Sequence, residues 1–101
     1  MATPESKTKA KVRKMLDAAG AYYFMPPANG YGRAGILDFA ACINGHFLAV
    51  ECKAGKGTTT ALQDRELLRI SAAGGTALVV WDTEGSYLRL TEAITKALNE
   101  T

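Results

Sequence analysis

Every second residue is apolar along two β-rich runs at the centre of the chain, between Gly35 and Lys53. Asn44 and Gly45 separate the runs, and this dipeptide predicts a two-residue hairpin turn because both of its positions need a positive φ. Such a turn fixes the pairing of the strands and gives the hairpin one continuous apolar face. We expect the core to be packed by that face, formed by Leu37, Phe39, Ala41, Ile43, Leu48, Val50 and Cys52.

The opposite face of the predicted hairpin is charged. Counting outward from the turn pairs Asp38 with Glu51, and the alternation of side chains places Lys53 on the same side. Directly opposed like charges destabilise a sheet, so a structural role alone explains the two carboxylates poorly. A divalent cation between them would remove the repulsion, and hard oxygen ligands favour Mg²⁺ or Mn²⁺. Lys53 adds a positive charge where a phosphate would lie.

A first helix is predicted over residues 4 to 20, because Thr3 supplies an N-cap hydroxyl and proline follows it. At about 3.6 residues per turn, Glu5 falls on the apolar stripe that contains Val12 and Leu16. Glu5 is therefore a candidate third carboxylate of the same site. The structural alternative is that it only complements the helix dipole.

Three lysines lie on the other side of this helix, namely Lys7, Lys11 and Lys14. A run of this kind usually forms a solvated helix face. The functional alternative is contact with the phosphates of a nucleic acid.

The next segment predicts a short core strand over residues 21 to 25, followed by a glycine-rich loop over residues 28 to 35. Within this loop, Tyr31 could stack on a base and Arg33 could bind a phosphate. Lys56, in the polar segment after the hairpin, is a further candidate for nucleic-acid contact.

A second helix is predicted over residues 61 to 73, and on it Gln63 shares a stripe with Leu67 and Ile70. Gln63 is either a satisfied, partly buried amide or a group that orients a water or a phosphate beside the metal. The apolar run of residues 76 to 81 then predicts a strand covered on both sides and parallel to the strand of Lys53.

The C-terminal part predicts a turn over residues 82 to 85 and a short edge strand over residues 87 to 90. Thr91 would then cap a last helix, whose apolar positions include Ile94, Ala97 and Leu98.

Composition places the 101 residues in one small domain, residues 1–101, with 48% hydrophobic and 22% charged residues. No apolar run approaches the roughly 20 residues that span a bilayer, and no secretory pattern opens the chain. We therefore expect no membrane partner and a cytoplasmic location. Cys42 and Cys52 fall on opposite faces of the hairpin and are expected to remain reduced.

The net charge is only +2, but the basic residues concentrate in the first part of the chain. Residues 1 to 60 carry eight Lys or Arg against four Asp or Glu, whereas residues 61 to 101 carry four against six. The basic part also contains the candidate site. This asymmetry favours an anionic partner such as nucleic acid.

Together these residues resemble the PD-(D/E)xK nuclease core, and most closely its VRR-NUC branch of virus-type replication-repair nucleases. The resemblance covers nearly the whole chain and rests on helical Glu5, then Gly35-Ile36-Leu37-Asp38, then Glu51-Cys52-Lys53, then Gln63. Leu37 stands where the motif has a proline, a departure that the superfamily tolerates. The resemblance implies a restriction-endonuclease-like fold of mixed α/β class, an α+β mixed sheet in αβββαβ order, here followed by a C-terminal helix.

The resemblance also implies cleavage of DNA phosphodiesters that depends on Mg²⁺ or Mn²⁺, by a homodimer acting on Holliday junctions or other branched DNA. Asp38, Glu51 and the backbone carbonyl of Cys52 would bind the first metal. Glu5 would support that metal or a second one. Lys53 would activate water or stabilise developing charge, and Gln63 would position the nucleophile.

Two other function classes stay open at this point. One is a nuclease of the same superfamily that acts on flaps or on a DNA sequence. Against the sequence-directed form stands the lack of an added recognition segment within the 101 residues. The other is a nucleic-acid-binding module with an idle site, which the intact acidic pair and its lysine disfavour.

Overall fold

The computed structural model describes residues 3–27 and 34–100 of the chain. Its elements form a mixed four-stranded sheet with three helices, which confirms the predicted class of fold. The elements are α1 (Pro4–Ala18), β1 (Tyr22–Phe24), β2 (Phe39–Ile43), β3 (His46–Cys52), α2 (Ala61–Ala72), β4 (Thr76–Val80) and α3 (Glu84–Asn99). Their order is αβββαβ followed by a helix, which is the order that the resemblance implies.

The central hairpin forms in the predicted register. Asn44 and Gly45 make the turn with φ angles of 50° and 80°. β2 and β3 pair antiparallel, and Phe39 lies opposite Val50. Because the side-chain period is two, this register sends the predicted apolar residues within the two strands to one side.

β4 runs parallel to β3, with α2 as the crossover between them, as predicted. Helices α2 and α3 both contact β4, but the strand does not lie inside the sheet as its continuous apolar run predicts. The sheet order is β1-β2-β3-β4, so β4 is an edge strand, and its residues 77 to 79 are only half-buried. Among the described residues no further strand pairs with its outer edge.

The core lies between the sheet and the two helices α1 and α3. Val12, Leu16 and Leu90 are fully buried there against the apolar face of the hairpin. The core cluster consists of Val12, Leu16, Phe39, Ala41, Ile43, Leu48, Val50, Cys52, Val80, Leu90, Ile94 and Ala97. Leu37 is buried as well, outside this cluster. The opposite face of the sheet is partly covered by α2, so Ala49 is buried too.

β1 contributes less to the core than predicted. Tyr23 packs on the core, with its ring centroid 6.0 Å from that of Phe39. Tyr22 and Phe24 are 75% and 54% exposed, and Met25 is exposed as well. The reason is the alternation of side chains along an edge strand that is covered on only one face.

The C-terminal prediction of an edge strand and a cap at Thr91 is also wrong. One continuous helix, α3, begins after Thr83, whose side chain accepts a hydrogen bond from the backbone N–H of Ser86. Residues 87 to 90 therefore lie within the helix, and the Thr91 hydroxyl donates to the carbonyl of Tyr87. Ile94 fills the core as predicted, because it follows Leu90 by one helical turn.

Two predictions from the sequence concern membrane-spanning helices and the state of the cysteines. Among the described helices, none combines the length and the apolar character that crossing a bilayer requires. Cys42 is exposed and Cys52 is buried, and both thiols are free as predicted.

Candidate metal centre

Three carboxylates from three different elements meet at one end of the sheet. Glu5 comes from the first turn of α1, Asp38 lies just before β2, and Glu51 lies near the end of β3. One oxygen atom of each carboxylate lies within 4.8 Å of an oxygen of the other two. Glu51 is only 2% exposed, whereas Glu5 and Asp38 are half-buried. The predicted helix stripe and the predicted hairpin register therefore bring these three side chains together.

Asp38 and Glu51 orient each other through the backbone. The N–H of Asp38 donates to Glu51 Oε1 over 3.1 Å. In return, Asp38 Oδ2 accepts a hydrogen bond of 2.8 Å from the N–H of Cys52. In a strand the carbonyl of a residue leaves on the same side as its N–H, so the Cys52 carbonyl also faces the Asp38 side. Both carboxylates are thus fixed in direction.

Lys53 is held in this centre at its side chain and at its backbone. Its Nζ lies 3.3 Å from Glu51 Oε2, and its side chain is 16% exposed. Its N–H donates to the carbonyl of Val80 over 2.9 Å, which extends the pairing with β4 by one residue. Its carbonyl accepts a hydrogen bond of 3.1 Å from the hydroxyl of Thr8, and Thr8 is fully buried. These contacts fasten α1 to the end of β3.

Thr8 is a site residue that the sequence reasoning missed. It lies three residues after Glu5 and four before Val12, on the same stripe of α1. That spacing was the available signal, since a hydroxyl on an apolar stripe needs a buried partner.

Gln63 contacts the centre as predicted. Its Nε2 donates to Glu51 Oε2 over 2.9 Å, and its Oε1 accepts the N–H of Thr60 over 3.0 Å. The Thr60 side chain in turn accepts the N–H of Gln63, which completes a capping box at the start of α2. The amide thereby links the beginning of a helix to the most buried carboxylate. Whether it also orients a nucleophile stays a prediction.

Lys9 is the second residue that the sequence reasoning missed. Its Nζ lies 3.5 Å from Asp38 Oδ1, and its side chain is about one-third exposed (34%). The signal was again helical spacing, because Lys9 follows Glu5 by four residues and so lies on the same side of α1.

The lysines predicted to bind nucleic acid lie elsewhere on α1 and beyond it. Lys7 pairs with Asp82 over 3.3 Å, and Lys11 lies over the ring of Tyr87, with its Nζ 5.5 Å from the centroid. Lys14 and Lys56 are exposed. The two loop candidates, Tyr31 and Arg33, lie outside the described residues.

Charge and burial compete at the centre. Burial raises the pKa of Glu51 above its usual value, and the neighbouring Asp38 carboxylate raises it further, while Lys53 acts in the opposite direction. Burial also raises the pKa of the Cys52 thiol, so this thiol remains protonated at neutral pH. The arrangement brings negatively charged oxygen atoms together around the buried carboxylate of Glu51. Lysine side chains lie at the border of this centre.

The carboxylate oxygens offer hard ligands of the type that Mg²⁺ and Mn²⁺ prefer, and an ammonium group lies beside them. A centre of this composition can bind a divalent cation and attract a phosphate. Comparisons of the chain with family models, with curated proteins and with solved structures found no match.

Proposed function

We propose that the protein is a metal-dependent DNA endonuclease that hydrolyses phosphodiester bonds, with a PD-(D/E)xK core of the VRR-NUC type. The observation that carries the proposal is the meeting of Glu5, Asp38 and Glu51 with the ammonium of Lys53, 3.3 Å from Glu51 Oε2. The order of elements and the mixed sheet support it, since they agree with the fold that the resemblance implies.

The donor set fits Mg²⁺ or Mn²⁺. The three carboxylates provide hard oxygen ligands, and the soft thiol of Cys52 points into the core rather than toward them. Asp38, Glu51 and the carbonyl of Cys52 would hold the ion, with Glu5 as a further ligand. When bound, the ion supplies Lewis-acid polarisation of the phosphodiester and neutralises the charge that develops during hydrolysis.

Lys53 acts beside the carboxylates. Its aliphatic stem is largely buried and its backbone is fixed to Val80 and Thr8, so its ammonium has little freedom to move away. A fixed positive charge at the border of the centre stabilises a phosphate as negative charge develops on it. Gln63 donates a hydrogen bond to Glu51 Oε2 and so fixes the orientation of a carboxylate that would bind the ion.

The substrate in this proposal is branched DNA such as a Holliday junction, bound by a homodimer. The support is the excess of basic residues in the first 60 positions, which include Lys7, Lys11, Lys14 and Lys56. Paired nicks on symmetry-related strands need two sites, and a two-fold dimer presents both on one face. Light scattering at micromolar protein, alone and with junction DNA, tests this, and a strict monomer in both samples contradicts it.

Cleavage assays test the function directly. A four-way junction, a flap and a linear duplex are incubated with the protein in Mg²⁺, Mn²⁺ or EDTA. We expect cleavage in either metal, strongest on the junction, and none in EDTA. Asp38→Asn, which keeps the shape of the side chain and loses its charge, should be inactive. Failure to cut any of the three DNAs in either metal would refute the proposal.

A further inference from the structure

Lys9 has no role in the function proposed above, yet it contacts the centre directly. It lies on α1 one helical turn after Glu5, and its Nζ approaches Asp38 Oδ1 to 3.5 Å. The Asp38 side chain is 19% exposed, so the pair is shielded from water more than an ordinary surface ion pair. This ion pair is therefore stronger than a pair formed on the solvated face of α1 would be.

The two oxygens of Asp38 have different partners. Oδ2 accepts the N–H of Cys52 and is fixed by the backbone. Oδ1 faces the ammonium of Lys9 instead. A divalent ion that used Oδ1 as a ligand would meet the positive charge of Lys9 at the same atom, and two cations at one oxygen repel each other.

Lys53 forms a similar ion pair with the other hairpin carboxylate, since its Nζ lies 3.3 Å from Glu51 Oε2. Among the described residues, each of the two hairpin carboxylates is thus paired with one ammonium group. Lys53 is fixed by its backbone contacts and its burial, whereas the side chain of Lys9 is more exposed and can swing toward solvent. Of the two ammonium groups, that of Lys9 is accordingly the one that can move away from its carboxylate.

We propose that Lys9 is a built-in counter-cation, which balances Asp38 in the metal-free protein and is displaced from it when a divalent ion binds. This inference rests on the metal centre of the proposed function. Lys9 then has two opposite effects on the protein. It stabilises the metal-free fold, and it lowers the affinity for the ion, because binding must break the pair.

The test measures Mn²⁺ affinity by calorimetric titration at low salt for the wild type, Lys9→Gln, Lys9→Arg and Lys14→Gln. Lys14→Gln is the matched control, since it removes the same charge from an exposed position of the same helix. We expect Lys9→Gln to bind Mn²⁺ about two- to tenfold more tightly, from the usual strength of a partly shielded ion pair. Lys9→Arg and Lys14→Gln should stay close to the wild type.

Melting temperatures in EDTA give a second readout that needs neither metal nor DNA. Lys9→Gln should melt below both Lys14→Gln and Lys9→Arg, because only Lys9→Gln leaves Asp38 without its counter-cation.

The outcomes separate this inference from the nuclease function. Mn²⁺ affinity of Lys9→Gln equal to or weaker than that of the wild type overturns the counter-cation role, even if the protein cleaves DNA. Tighter binding by Lys9→Gln supports the role, even if no DNA is cleaved and the nuclease function fails. Absence of Mn²⁺ binding in both proteins overturns the metal centre and this inference together.

Discussion

Gly35 lies against the backbone of Leu62, so closely that a β-carbon on Gly35 would sit 2.4 Å from both the carbonyl carbon and the carbonyl oxygen of Leu62. The same β-carbon would lie 2.8 Å from the backbone nitrogen of Gln63. Gly35 also has a φ of +79°. This contact ties the segment that leads into Asp38 to the first turn of α2, which carries Gln63. Two sides of the candidate metal centre are thereby joined through a position that only glycine fits.

Gly35→Ala should consequently destabilise the protein and disturb the centre. Gly20→Ala is the matched control, since Gly20 has a φ of +70° and a β-carbon added there would meet no atom within 4 Å. Both substitutions carry the cost of a left-handed backbone, about 1 to 2 kcal/mol, but only Gly35→Ala adds a steric clash of about 1 to 3 kcal/mol. Urea unfolding measures the two free energies of unfolding, and Mn²⁺ titration reports on the centre. Equal losses in both variants would contradict the close contact.

Thr8→Val tests the link between α1 and β3. Valine keeps the shape of the buried side chain but removes the hydroxyl that the Lys53 carbonyl accepts. We expect a loss of about 1 to 3 kcal/mol in the free energy of unfolding, because a carbonyl is left without this donor. Thr91→Val is the control, since the Thr91 hydroxyl makes an exposed bond within α3 and its loss should cost at most about 0.5 kcal/mol. Similar small losses for the two variants would show that the buried bond contributes little.

The hairpin and its two carboxylates, Asp38 and Glu51, could be predicted because their signals are local. Asn44 and Gly45 fix the register, and the register alone brings Asp38 beside Glu51. Gln63 could be found in the same way, from an interruption of an apolar helical stripe. In each case a period or a turn rule decides where the side chain points, whatever the rest of the fold does.

The remaining features depend on packing that no local pattern contains. The exposure of Tyr22 and Phe24 follows from β1 being an edge strand with one open face, and the sequence does not say which strands are edges. α3 begins at Glu84 rather than near Thr91, with Thr83 as its N-cap and with Leu90 buried in the core. The partner of Lys9 depends in turn on where α1 docks, which is set by the burial of Val12 and Leu16.

Lys53→Met separates the role of the lysine from that of the carboxylates. Methionine keeps most of the buried stem and removes the ammonium beside Glu51. We expect cleavage to fall by about 100-fold or more, because a charge that stabilises the reacting phosphate is lost. Mn²⁺ affinity should be unchanged or tighter, since a repelling cation is removed.

Asp38→Asn is the comparison, and it should lose both cleavage and Mn²⁺ binding. Single-turnover cleavage and calorimetric titration measure the two properties independently. A loss of Mn²⁺ affinity in Lys53→Met as large as that in Asp38→Asn would show that Lys53 supports the metal rather than the phosphate.

The affinity for Mn²⁺ should rise with pH through the mildly acidic range. Burial and the Asp38 carboxylate raise the pKa of Glu51 from its usual value of 4.5, and a proton on Glu51 competes with the ion. A raised pKa in the folded protein also means that Glu51 contributes stability below about pH 4.5, and that this stability is lost as the pH rises through the raised value. Wherever Glu51 is ionised in the folded protein, a bound divalent ion would offset the cost of that buried charge.

Melting temperatures with EDTA and with excess Mn²⁺, between about pH 5 and about pH 7.5, measure this effect. At about 100 times the dissociation constant, Mn²⁺ should raise the melting temperature by roughly 10 °C or more, and the rise should grow with pH. Glu51→Gln should lose most of the rise at every pH, because it removes a ligand of the ion together with the titrating carboxylate. Glu84→Gln, an exposed acid at the start of α3, should leave the dependence unchanged. A rise that is independent of pH in the wild type would mean that the proton and the ion do not compete at Glu51, and the ion would then have to bind elsewhere.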